Sequence, residues 1–192
     1  MEIYLIRHTR VGVPPGTCYG QSDVPTADTF EEEAAEVKRR LEGIVFDRTY
    51  TSPLSRAAKL AAYCGFPDAV RDDRLKEMNM GAWEMQRYDE IRDPALTAWY
   101  EDYMHLPATG GESFPILYQR VASFLEELQT QSFERVAIFA HGGVLVSAGI
   151  YFGLFSEEQA FEHQPAYGGI LKIECGMRNG RVSDEEIRKK LE

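Results

Sequence analysis

An α/β fold, built as a three-layer αβα sandwich around a mostly parallel central sheet, follows from three features of the 192-residue sequence. Short apolar runs alternate with amphipathic or alanine-rich stretches, which is the order of a parallel sheet with helices on both faces. The clearest runs are continuous rather than alternating, as strands buried on both faces must be. Breaker-rich segments separate the elements, and no repeat, low-complexity tract or linker interrupts them. The chain therefore reads as a single domain over 1–192, with a small inserted cap at roughly 83–115. At this size folding hides about 70% of the unfolded surface, enough for a core that needs no disulfide or metal staple.

The elements follow in order. Residues 3–6 form an apolar run that stops at Arg7-His8, a buried strand ending at a polar tip. The breakers over 10–20 argue against a helical turn there. Asp28-Thr29-Phe30-Glu31 resembles a capping box, and Phe30, Ala34, Val37 and Leu41 recur at helical spacing, which predicts an amphipathic helix over 29–42. Residues 46–51 read as the next strand. Ser52-Pro53 offers an N-cap and then proline at the first helical position, so an alanine-rich helix is expected over 53–64. Leu117, Val121, Phe124, Leu125 and Leu128 mark another helical stripe. Residues 136–140 are the clearest buried strand; they end at His141-Gly142-Gly143 and run into an apolar helix over 144–152. Residues 169–174 read as a last central strand, and the charged tail over 183–192 as a surface helix.

Charge and cysteine usage narrow the function. Lys plus Arg number 21 against 31 Asp plus Glu, a net charge of −10. Such a chain repels nucleic-acid backbones and anionic lipid, so neither nucleic acid nor membrane is expected as a partner. An anionic small molecule needs a local cationic pocket set against that global charge. Cys18, Cys64 and Cys175 are odd in number and widely spaced, with no CxxC among them. That is the pattern of reduced thiols in a cytoplasmic protein. The first apolar run is too short for a signal segment or a membrane span. His8, His105, His141 and His163 form no i,i+4 pair, so no metal site is expected.

In open α/β sheets, ligands bind beyond the carboxyl ends of the strands. The first strand ends at Arg7-His8, the second at Ser52 one helical turn before Arg56, and strand 136–140 at His141. Two Arg and two His from distant parts of the chain thus meet at one sheet edge. Taken singly, each is as ordinary as a surface ion pair or a satisfied strand end; the joint pattern carries the reading. Four cation-capable side chains repel one another unless an anion sits among them. Arginine offers fixed, bidentate donors to phosphate oxygens. The amides of Gly142 and Gly143 open a helix, where an anion is favoured.

These residues carry a family resemblance. LIRHT at 5–9, TSPLSRA at 51–57, LKEMNMGAWE at 75–84, GGESF at 110–114 and AHGG at 140–143 resemble, in order and over nearly the whole chain, the histidine phosphatase superfamily, the phosphoglycerate-mutase-like group. Within it, RHT followed by GTCYGQSDV at 16–24, and GAWEM at 81–85, are similar to α-ribazole phosphatases of the cobalamin pathway. Three departures stand out. Thr9-Arg10-Val11 replaces the common Gly-Glu-Thr after the histidine, Pro14 stands at the place of a common Asn, and Met85 follows Glu84 where Gly is familiar. The Pro14 departure leaves one phosphate contact without an assigned residue.

The resemblance implies a phosphohistidine mechanism without metal or cofactor. His8 attacks phosphorus as a neutral imidazole, with its other ring nitrogen held by an acceptor such as a carbonyl. Arg7, Arg56, His141 and the Gly142 amide hold the phosphoryl oxygens. Glu77 is the proton donor to the leaving group, its carboxyl raised in pKa beside a phosphate, and later the base for water. Glu84 is the second candidate acid. Tyr19, Gln21, Ser22 and Asp23 in one loop, and Glu112 and Ser113 in another, are candidate walls for the substrate. Trp83, Tyr88, Trp99, Tyr100 and Tyr103 pack the cap and are the candidates for stacking on a flat base such as dimethylbenzimidazole. His163 reads as a structural or rim residue.

The expected function is metal-independent hydrolysis of phosphate monoesters, with α-ribazole 5′-phosphate or the phosphorylated cobamide precursor as the specific substrate. A broad sugar or nucleotide phosphatase and a phosphoglycerate mutase-like enzyme are the alternatives, although mutases of the group resemble longer chains. A non-catalytic phosphate- or protein-binding module is the reading from another class; retention of both His, both Arg and Glu77 argues against it. No GxSxG or GxGxxG occurs, which disfavours a serine hydrolase or a Rossmann dehydrogenase. The expected partner is a small phosphate monoester, bound by a monomer or homodimer.

Overall fold

A computed structural model describes residues 1–160 and 162–175. Among them, five strands form one sheet in the order β3-β2-β4-β1-β5. They are β1 Glu2–Arg7, β2 Arg48–Thr51, β3 Val70–Arg71, β4 Arg135–Ala140 and β5 Ile170–Glu174. β1 runs parallel to β4, and β2 parallel to both β4 and β3; β5 is antiparallel to β1. The expected α/β sandwich is present.

The period of two in a strand divides the core between the faces. Ile3, Leu5, Val136, Ile138 and Ala140 point to one side, where they meet α4 (Phe114–Gln129) and α5 (Gly142–Tyr151). Ile6, Ala137 and Phe139 point to the other, against α1 (Phe30–Leu41) and α2 (Ser55–Tyr63). The stripe at Leu117, Val121, Phe124, Leu125 and Leu128 is buried as its spacing required. Helix α5 is apolar all round because it is buried nearly all round, from Gly142 to Gly149. A third, smaller cluster of Cys18, Met80, Trp83, Ile91, Leu96 and Ala108 gathers the 3-10 turn at Gly81–Trp83 and the short helix α3 (Ala95–Glu101).

Several local expectations need correction. The capping box does not form: Thr29, not Asp28, is the N-cap of α1, and no side chain caps it. Thr29 instead donates to Glu33 at 2.5 Å, and Glu33 also takes the Arg10 amide and guanidinium, which ties the loop after β1 to the helix. Helix α2 starts at Ser55 rather than Pro53, because Leu54 keeps an extended backbone (ψ 133°); Ser52 Oγ accepts from Leu54 N and pairs with His141. Residues 170–174 are an edge strand, not a central one; three of its five residues pair only partly buried side chains with β1. The two-residue β3, the 3-10 turns and α3 carried no signal strong enough to read. The tail helix expected over 183–192 lies outside the described residues.

Segments 79–82 and 109–112 approach so closely that a Cβ on Gly81 would meet Thr109 O, and one on Gly111 would meet Asn79 O. Met85, by contrast, holds a left-handed backbone (φ 62°) with a side chain, and its amide donates to Cys18 O at 2.6 Å. This is the position where the resembling family carries Gly, and the Cβ there costs roughly 1 kcal/mol. Met85→Gly is expected to raise the melting temperature by about 2–4 °C for a chain of this size. An unchanged melting temperature would show that the backbone at 85 relaxes without strain.

Candidate active site

Strand register builds the site. Arg7 lies opposite Ala140 across β1 and β4, and His8 N continues the ladder to Ala140 O at 3.0 Å. Across β4 and β2, Thr51 lies opposite Phe139 and Ser52 N reaches Phe139 O at 2.9 Å. The first residues beyond three neighbouring strands, His8, His141 and Ser52, therefore share one edge. The two imidazole centroids are 5.1 Å apart. Arg56 enters from the first turn of α2, fully buried.

Hydrogen bonds fix each ring. His8 Nδ1 lies 2.7 Å from Thr9 O. A carbonyl only accepts, so Nδ1 carries the proton and Nε2 keeps its lone pair. Burial, then the Arg56 charge, bring the His8 pKa down to about 3, with Arg7 adding to the effect. His141 is fully buried and held neutral in the same way, by burial first and then by Arg56 and His8. The four cation-capable groups anticipated at this edge are thus two cations and two neutral rings, because burial removes the charge from both histidines.

The guanidiniums are braced from behind. Arg56 donates to Gly20 O at 2.7 Å and Ser22 O at 2.9 Å. Arg7 donates to Pro165 O at 2.7 Å and Gln164 Oε1 at 3.2 Å. Each is covered by a tyrosine: Tyr167 lies 4.2 Å from Arg7, and Tyr19 5.1 Å from Arg56. Their hydroxyls meet at 2.9 Å, and Tyr167 also lies 5.5 Å from the His8 ring.

Five buried side-chain polar atoms among the described residues make no hydrogen bond: Arg7 Nε, Thr9 Oγ1, Arg56 Nε, His141 Nδ1 and Trp99 Nε1. Four of them belong to this one cluster. A buried donor left unpaired costs about 1–3 kcal/mol, and a tetrahedral oxyanion offers the acceptors that such a group lacks. No set of three His, Cys, Asp or Glu among the described residues is arranged to hold a metal.

A cavity of about 420 Å³ adjoins the cluster, lined by Tyr19, Gly20, Glu77, Gly143 and Gln164 on the side of the histidines. Its other walls are Thr17, Cys18, Met78, Met80, Tyr88, Trp99, Tyr103, Phe114 and Leu117. Glu77 is the charged residue among them. Its carboxylate accepts from Met78 N at 3.0 Å and from Gly143 N at 3.2 Å, at the start of α5. A second hollow of about 540 Å³, over Thr26, Phe30, Lys59 and Tyr63, lies away from both histidines on the open surface.

The remaining sequence candidates divide. Tyr19 lines the cavity, but Gln21 and Ser22 turn to the frame: Gln21 Nε2 donates to Glu77 O at 3.0 Å, and Ser22 binds Glu84. Asp23 accepts from the Ser55 amide and hydroxyl. Glu84 takes the amides of Gln21, Ser22 and Met80, which makes it a clamp on the 20–22 turn rather than a free acid. Glu112 and Ser113 do not line the cavity. Glu112 pairs with Arg120 and accepts from Asn79 N, and the wall is made by Phe114 and Leu117 just beyond. Of the aromatics, Tyr88, Trp99 and Tyr103 line the cavity, with Tyr88 and Trp99 nearly parallel at 6.4 Å. Trp83 is buried and donates to Asp93, and Tyr100 faces solvent. His163 stacks on Phe155.

A profile of the Histidine phosphatase superfamily (branch 1) matches residues 3–185. The chain belongs to that superfamily. It is an enzyme by that membership, and similar proteins carry phosphatase and mutase names. The adenosylcobalamin/alpha-ribazole phosphatase of Escherichia coli K12 is 31% identical over 160 residues, covering 76% of this chain and 75% of that one. A 2,3-bisphosphoglycerate-dependent phosphoglycerate mutase of Parvibaculum lavamentivorans is 29% identical over 186 residues, covering 88% and 87%. Among solved structures, the alpha-ribazole phosphatase of Shigella flexneri superposes with TM-score 0.82 at 27% identity, over 92% of this chain and 91% of that one. A putative alpha-ribazole-5'-P phosphatase of Escherichia coli superposes with TM-score 0.81 at 26% identity, over 90% and 89%.

Sequence reasoning missed Gln164 and Tyr167 as neighbours of Arg7, Ser52 as the partner of His141, and Arg120. The superfamily's histidine pair also sets a pH dependence. Below about pH 6.5 the unfolded chain protonates its histidines, whereas the native state keeps His8 neutral down to about 3. The unfolded state then binds more protons, so stability falls as the pH drops through that window, by about 1.4 kcal/mol per unit for each such group. His8→Gln removes one of them. Between about pH 7.5 and pH 5 the variant is expected to lose about 2 kcal/mol less stability than the wild type in denaturant titrations. Identical acid slopes would mean that His8 is charged in the native pocket.

Proposed function

We propose that this enzyme hydrolyses phosphate monoesters through a phosphohistidine at His8 Nε2. The single observation that carries the reading is the set of buried, unpaired polar atoms on Arg7, Thr9, Arg56 and His141 that accompanies a neutral, tautomer-locked imidazole. His8 Nε2 attacks phosphorus as the bond to the leaving oxygen breaks, and Glu77 gives that oxygen its proton. Water then attacks phosphorus, Glu77 takes the proton back, and the N–P bond breaks to free His8 and inorganic phosphate. Arg7 and Arg56 hold the equatorial oxygens. Ser52 Oγ accepts from Leu54 N and lies 2.8 Å from His141 Nε2; in the tautomer in which the serine proton is donated to Nε2, Nδ1–H of His141 is a third donor. The Gly143 amide holds Glu77 at 3.2 Å, and Gly142 N adds a donor at the same helix start.

The leaving group occupies the adjoining cavity beneath residues 83–115, which act as a cap. Apolar and aromatic walls, with Tyr88 and Trp99 nearly parallel, favour a flat, weakly polar aglycone. That chemistry, with the names of the similar proteins, supports α-ribazole 5′-phosphate as the substrate. A bisphosphoglycerate mutase must retain a second anionic group on the sugar acid, and the described residues that line this cavity include no Lys or Arg. Hydrolysis is therefore favoured over transfer.

Purified protein is expected to release phosphate from p-nitrophenyl phosphate in EDTA, and His8→Ala to lose turnover together with the acid-labile phosphoenzyme. Retained turnover in His8→Ala removes the nucleophile. In a kcat/KM comparison, α-ribazole 5′-phosphate is expected to exceed sugar phosphates and phosphoglycerate by at least about 10-fold, the worth of one well-filled apolar contact. A preference for phosphoglycerate would overturn the substrate reading and leave the hydrolytic one standing.

A further inference from the structure

We infer that Arg120 is a positioning residue for Glu77, holding the proton donor in place through its backbone. The inference rests on the role of Glu77 proposed above. Residues 76–80 belong to no helix or strand, so no ladder of hydrogen bonds sets their path. One guanidinium does so instead. Arg120 Nη1 donates to Arg74 O at 2.8 Å and Lys76 O at 2.6 Å, and Nη2 to Glu77 O at 2.8 Å. Nε and Nη2 each donate to the Glu112 carboxylate at 3.0 Å. All five N–H groups of the side chain are used.

Glu112 completes the frame. Its carboxylate also accepts from Asn79 N at 2.8 Å, and its backbone amide donates to Asn79 O at 2.7 Å. Arg120 thus grips the chain at and before Glu77, and Glu112 grips it two residues after. Gln21 Nε2 is a second donor on Glu77 O. The pair itself is more than four-fifths covered on both sides. It faces the backbone of the acid, not the cavity, so Arg120 touches no substrate. A planar five-donor fork has no equivalent in lysine, whose three donors radiate from a single nitrogen.

The role predicts a dependence on the leaving group. An alkyl phosphate needs its leaving oxygen protonated; p-nitrophenolate leaves without help. Arg120→Met is expected to lower kcat on an alkyl phosphate such as glycerol 1-phosphate by about 100-fold, the lower range of general acid catalysis. On p-nitrophenyl phosphate the loss is expected to be under about 3-fold, with KM for both esters little changed. In a Glu77→Gln background the same substitution is expected to add almost nothing on the alkyl ester, because the two act as one unit. Arg120→Lys, which keeps the charge and part of the donor set, covers the case in which Arg120→Met does not fold. It is expected to show the same selectivity with a smaller loss.

Equal losses on the two esters, or a full additional loss on top of Glu77→Gln, overturn the positioning role in favour of a merely structural one. Failure of the wild type to form a phosphohistidine, or of Glu77→Gln to discriminate between the esters, instead overturns the reading of the reaction beneath it.

Discussion

Two guanidinium groups facing one small space repel each other, and any further positive charge there makes the native state worse. The site depends on how the fold meets that constraint. Burial strips the proton from His8 and His141, so the rings sit 5.1 Å apart without adding charge. The same neutrality is what the nucleophile proposed above requires: the proton His8 keeps is pinned on Nδ1 by Thr9 O, and the lone pair is left on the other nitrogen. What stabilises the fold and what arms the imidazole are one electrostatic condition. A local cationic pocket in a chain of net charge −10 follows from it, since two arginines suffice when nothing else nearby is charged in the same sense.

Most polar side chains near the site serve the frame. Glu84 clamps the 20–22 turn, and that turn presents the Gly20 and Ser22 carbonyls to Arg56. Gln164 and Pro165 do the same for Arg7 from the other end of the chain. These supports leave each guanidinium with its Nε unpaired, while both Nη atoms of Arg56 and Nη1 of Arg7 are anchored. Rigid donors held in this way need little reorganisation when charge develops on a phosphoryl group.

The sequence made the parallel strands and the sheet edge legible because buried strands and their polar tips are local patterns. Arg7, His8, Arg56 and His141 were found from strand ends alone. Tyr167 and Gln164 were not, for a topological reason. Residues 169–174 read as a last central strand, with nothing in the run to give its direction; a parallel strand there would place its leading loop at the opposite edge. The strand is antiparallel, so the loop before it arrives at the edge where the other strands finish. A half-buried run at a sheet margin carries no mark of its direction. Glu112 was misread for a different reason: a carboxylate in a loop near the site looks the same whether it faces substrate or backbone. Its partner did leave a trace, since Arg120 falls between Leu117 and Phe124 on the buried stripe of α4, where a charge needs a counterpart.

The position of β1 bears on how the molecule is made. It is made well before its partners, since it pairs with β4 and β5, more than 130 residues later. Until those arrive, Ile3, Leu5 and Ile6 have no sheet to join, and long-range parallel pairing of this kind is slow to form and exposed to aggregation while it waits. Synthesis from the amino end therefore leaves His8 without its neighbour His141 until β4 and the residue after it have emerged.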